Sequence, residues 1–180
     1  MIQRSVSVAL YLLAGIIGIL ALIYPFVAVA SANNNGGVPS ALTTPLLTTL
    51  LISLCLAVLL VELQGQAAGA KTVAALGIMV ATTATLRFIE VAIPGPAGFS
   101  PIFAPIILGG YVFGARFGFL LGAMTMLVSA FMTAGVGPWL PYQMFTAGWV
   151  GLTAAWLPHL KHGKGELFLL LGFAFVWGLL

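Results

Sequence analysis

The chain has 180 residues, of which 62% are hydrophobic and only 5% are charged. A soluble domain carries about 25% charged residues, and no charge at all occurs between Ser5 and Val61, which excludes a water-soluble globule. The net charge of +3 calls for no nucleic-acid partner, because in a membrane protein the placement of basic residues is more informative than their sum.

In a bilayer core only helices or a closed barrel satisfy the backbone. The apolar runs here are continuous rather than alternating, so the expected fold is an all-α integral membrane protein. It is a polytopic transmembrane helix bundle of about seven spans, with the last one truncated. Residues 6–30 form the first span, preceded by Arg4. A basic residue, an apolar run and Ala30-Ser-Ala32 imitate a signal peptide, but the run is longer than a signal core and reads as a retained helix. Asn33-Asn-Asn-Gly-Gly37 is loop-like. Residues 42–61 form the second span, with Pro45 in its first turn, where a missing N–H costs little. Cys55 lies within this run and has no second cysteine to pair with.

The third span covers 72–93 and contains Arg87 and Glu90 near its far end. A Pro/Gly-rich connection, Pro94-Gly-Pro-Ala-Gly-Phe-Ser-Pro101, leads into a shorter fourth span over 101–113. The fifth covers 117–134 and the sixth 141–157, closed by Pro158. A seventh begins at Leu167 and has about 14 residues, short for an upright crossing. Arg4, Lys71, Arg116, Lys161 and Lys164 fall at alternate connections, while 31–41, 94–100 and 134–141 hold no Lys or Arg. By the positive-inside rule, the N-terminus is cytoplasmic and those three connections face outward across a cell (plasma) membrane.

Arg87 and Glu90 are three apart and can pair on one helix face. Intramembrane charges face a cavity or a bundle interior. Two readings stay open: a ligand contact at the outer mouth, or a structural pair with Arg87 reaching toward the headgroups. Phe99, Ser100 and Phe103 surround the first outer connection, and Thr133, Trp139, Tyr142 and Gln143 surround the second. Apolar walls with a few polar groups describe a ligand pocket. An interfacial aromatic belt prefers the same depth. Trp149 belongs to the same aromatic group, and Thr125, Ser129 and Thr133 form a polar stripe on the fifth span.

Small residues recur every four positions: Gly118 and Gly122; Ala147, Gly151 and Ala155; Ala70 and Ala74, with Gly77 and Ala81 continuing along the third span. Such faces let helix backbones approach closely, within one chain or against a partner helix. Signals for an enzyme are poor. Glu90 is the one acid near the proposed pocket, and no nucleophile elbow or P-loop occurs. His159 and His162 sit in a basic loop that reads as solvated, so no catalytic residue, metal site or cofactor is assigned.

Residues 71–158 resemble the substrate-binding S component of energy-coupling factor (ECF) vitamin transporters. The resemblance rests on the small-residue helix from Lys71 to Arg87, the segment Pro94–Phe103, the turn Leu108-Gly-Gly-Tyr-Val-Phe-Gly-Ala-Arg-Phe-Gly118 and the loop Gly135-Val-Gly-Pro-Trp-Leu-Pro-Tyr-Gln-Met144. It implies a six-helix bundle that binds a vitamin or related micronutrient near its outer face. It also implies association with a transmembrane T component and two ATPase subunits, with transport by toppling of the S component. The small-residue stretch Ala70, Ala74, Gly77 and Ala81 would dock the T component. The chain departs from the pattern in carrying two additional N-terminal helices (1–66) before the S-component-like bundle (67–180), and in lacking a sixth core helix. The rival readings are a stand-alone secondary transporter or channel, which needs a continuous polar path, and a structural membrane subunit, which needs a filled core.

Overall fold

In the computed structural model, residues 70–93, 100–137, 139–160 and 163–179 are described, together with Ile16, Thr49 and Ser53. Five helices occur among them: α1 Ala70–Ala92, α2 Phe103–Phe113, α3 Ala115–Met132, α4 Leu140–Ala154 and α5 Gly163–Leu179. The described residues form a helical bundle and include no strand. Apart from Ile16, Thr49 and Ser53, the spans expected at 6–30 and 42–61 lie outside the described residues, as do the connection 94–99 and the pair Lys161 and His162.

Length separates the five helices. Lys71–Ala92 and Ala115–Met132 are long and apolar enough to cross a bilayer. The other three are shorter, with 11, 15 and 17 residues. Local chemistry sets these limits. Gly114, at φ 95°, ends α2 and begins α3 with no further residue between them, a backbone conformation that favours glycine. Pro141 stands in the first turn of α4, where its fixed φ suits a helix start. Helix α5 starts four residues before the expected Leu167, with Glu166 in its first turn, where a carboxylate complements the helix dipole.

Helix α3 is the centre, packing on α1, α2 and α4, and α2 also packs on α4. Its residues Phe117 to Ala123 are buried without a break. The small-residue ladders explain how this is achieved. A side chain at Gly110, Gly118 or Gly151 would collide with the backbone of another of the three, and one at Gly122 would collide with the Ala147 carbonyl. So α2, α3 and α4 meet backbone to backbone, the geometry that small residues permit. Ile102, Ile106, Leu121, Met126, Met144 and Phe145 fill the space beside this crossing.

Helix α1 presents Val80, Thr83 and Ala84 inward, all buried. Its other ladder behaves differently. Ala74, Gly77 and Ala81 are exposed, and nothing lies within 4 Å of a Cβ placed on Gly77. The exposed Thr82 and Thr85 return their hydroxyls to the carbonyls of Ile78 and Ala81, both at 2.9 Å, which pairs these two donors within the helix. Helix α5 leans on the bundle through Leu170, Phe173 and Trp177, and the Trp177 indole N–H donates to Thr153 Oγ1 at 3.2 Å.

Residues 133–137 and 139 lie at one end of α4 and 155–160 at the other. Exposed Val136 and Leu160 therefore mark opposite ends. Single cysteines at these positions should react with an impermeant maleimide from opposite sides of sealed vesicles, and labelling of both from one side would refute the expected orientation.

Candidate ligand-binding site

The end of the bundle that holds Arg87 carries the polar chemistry. The i, i+3 spacing on α1 puts Arg87 beside Glu90, with Nη1 3.3 Å from Oε1. Ser100, just before α2, donates its hydroxyl to the other carboxylate oxygen at 2.7 Å. Both oxygens of Glu90 are thus engaged. The two side chains are only 26% and 17% exposed, and pairing is what makes such charges tolerable away from water.

Next to this pair is a partly open cavity of about 230 Å³. Arg87 enters it from α1, Phe103 from the start of α2 and Met126 from α3. Helix α4 supplies two adjacent rows, Tyr142 above Thr146 and Gln143 above Ala147, each pair one helical turn apart. Ala147 also meets Gly122 backbone to backbone, so it closes the floor without a bulky side chain. The wall combines apolar groups with convergent hydrogen-bonding ones, as ligand pockets do.

Of the residues singled out from sequence, Arg87, Phe103, Tyr142 and Gln143 meet at this cavity. Glu90 and Ser100 stand behind Arg87 rather than in the lining. Thr133 ends α3, and its hydroxyl returns to the Ser129 carbonyl at 2.8 Å. Trp139 is 54% exposed. Its indole N–H donates to the Gly135 carbonyl at 3.2 Å, so it folds over its own loop instead of facing the cavity. Phe99 is outside the described residues. Met126, Thr146 and Ala147 were missed. The last two were readable, since they lie four residues after Tyr142 and Gln143; nothing in the sequence distinguishes Met126 from the other apolar residues of α3.

The polar stripe of α3 does not line the cavity. Ser129 and Thr133 bond to their own helix, and the hydroxyl of Thr125, fully buried, finds no partner among the described residues. At the opposite end His159 stacks on Tyr111, with ring centroids 4.2 Å apart, and the Tyr111 hydroxyl donates to the Pro158 carbonyl at 3.3 Å. No group of three His, Cys, Asp or Glu that could hold a metal ion occurs among the described residues.

Neither a curated protein nor a solved structure matches the chain. A family does: its description is "ECF transporter, substrate-specific component", and it matches residues 71–180. That stretch runs from the second residue of α1 through α5, so it takes in the Arg87–Glu90 pair, the cavity and the three-helix crossing. With well over half of its length matched, the chain belongs to the family of ECF transporter substrate-specific components.

Proposed function

We propose that this S component captures a vitamin or related micronutrient in the cavity beside Arg87 and delivers it across the plasma membrane together with a T component and two ATPase subunits. The observation that carries the reading is the cavity itself. It opens where the bundle gathers Arg87, Phe103, Tyr142 and Gln143. In the orientation given by the basic residues, the N-terminus is cytoplasmic and this end faces outward. A filled structural subunit would have no such space. A stand-alone transporter would need a polar path through the bundle, and the backbone contacts of Gly110, Gly118 and Gly151 leave no room for one between α2, α3 and α4.

The chain has no P-loop, so energy for uptake would come from partner subunits. Ala70, Ala74, Gly77 and Ala81 are the proposed contact with the T component, supported by the exposure of the last three. The division into two additional N-terminal helices within 1–66 and the S-component-like bundle over 67–180 belongs to the same proposal.

Mass spectrometry of the compound that copurifies with the full chain tests the reading, followed by uptake of that compound with and without the ATPases. Uptake that is independent of ATP hydrolysis would refute it. Phe103→Ala should weaken binding of the copurified compound by about 1–3 kcal/mol, the range for an aromatic anchor in a pocket. Calorimetry would measure it, and an unchanged affinity would remove Phe103 from the site.

A further inference from the structure

The chemistry of the cavity wall narrows the class of ligand, an inference that rests on the cavity being the ligand site. We infer that the ligand is a compact ring compound whose polar edge is a carboxylate or carbonyl, and that cationic compounds are excluded.

Size gives the first limit. At about 230 Å³ the cavity is below the roughly 300–1,000 Å³ that enclose drug-sized ligands. One or two rings fill the space inside it. Phe103 and Met126 supply the apolar faces against which a ring packs well.

Charge gives the second. Among the described lining residues there is one formal charge, Arg87, and no carboxylate. The one acid nearby, Glu90, has both oxygens occupied by Arg87 and Ser100. Its contact to Arg87, at 3.3 Å, is a single long one beside the roughly 2.7–2.9 Å of a strong charge-assisted bond. A guanidinium has five N–H donors, so Arg87 keeps several for a ligand. Tyr142, Gln143 and Thr146, on the facing wall, can each donate or accept and so adapt to either partner. Arg87 can only donate and is positive, and its complement is an acceptor edge. Aromatic faces alone would also attract a cation, but that cation would lie beside Arg87 with no free anion to balance it.

Three one-ring probes separate these outcomes: benzoate, benzamide and benzylammonium, titrated by saturation-transfer NMR into the full chain in lipid nanodiscs at neutral pH. Benzoate and benzamide should bind, and benzylammonium should bind at least about tenfold more weakly, because like charges oppose each other. Arg87→Gln should weaken benzoate by about tenfold and benzamide by less than about threefold, as expected when a bond to a charged acceptor is lost rather than one to a neutral acceptor. Thr146→Trp, which fills the cavity, should abolish binding of all three. Benzylammonium binding as well as benzoate, or none of the three binding saturably, overturns the inference; the ranking on the parent protein decides this even where Arg87→Gln does not fold. Probe binding that is insensitive to Thr146→Trp overturns the cavity as the ligand site instead, so the two failures are distinct.

Discussion

Gly151→Leu is expected to abolish the folded bundle, while Gly77→Leu leaves it intact. Both are glycine-to-leucine changes on apolar helices of one protein. They differ in what a Cβ would meet. At Gly151 it would overlap the Gly118 carbonyl and stand 2.9 Å from the Gly118 Cα; at Gly77 it would meet nothing within 4 Å. Overpacking a core costs about 1–3 kcal/mol when side chains can turn aside. Backbone atoms cannot, and Gly110 of α2 packs against the Gly151 carbonyl, so the loss at Gly151 should exceed that range. The measurement is the yield of monodisperse protein after detergent extraction, with thermal unfolding of whatever survives. Equal yield and melting temperature for the two variants would mean that the crossing is looser than described.

Ala74→Trp and Ala81→Trp are expected to leave ligand binding unchanged and to eliminate uptake in the presence of partner subunits. Both residues are exposed on α1, away from the cavity lining. A helix interface built on small residues depends on backbone approach, and an indole holds the two backbones apart. Uptake should fall to the level of a transporter lacking its ATPases. Calorimetry on the isolated chain and uptake in reconstituted vesicles separate the two effects. Full uptake by both variants would return this face to ordinary contact with lipid.

The two substitution sets show what the sequence could and could not settle. Spacing of four among small residues identified three ladders. The same spacing packs α3 on α4 around Gly118 and Gly151 yet leaves Ala74 and Gly77 bare. Which ladder meets which surface depends on how the helices are arranged in space, and a linear pattern contains no such information. Helix positions were legible because Pro141, Gly114 and the apolar runs set them locally. The cavity was legible where two connections meet: Arg87, Phe103, Tyr142 and Gln143 came from adjoining stretches on either side of one end. In sequence Trp139 groups with Tyr142 and Gln143 around the second outer connection as one wall of a candidate pocket. Its indole instead satisfies the Gly135 carbonyl, a local bond that closes the turn after α3. In that turn Ala134 takes φ 52°, and the Gly135 N–H reaches back to the Ala130 carbonyl at 2.9 Å. This is a helix-ending motif in which glycine is the usual occupant, and with alanine at the turning position the sequence did not announce it.

The contact among Gly110, Gly118 and Gly151 also has a mechanical meaning. Side chains between helices act as a soft layer that can shear as rotamers change. Where backbones touch, that layer is missing, and sliding one helix past its neighbour requires lifting it over peptide groups. Helices α2, α3 and α4 are thus pinned at a common point and move as a single plank. Compliance is left to the joints around it, to α1 along its side-chain contacts with α3 and to α5 on its lighter attachment. A force applied at the outward face of α1 would reach this plank through the side-chain contacts between α1 and α3, with little of its work lost to bending within it.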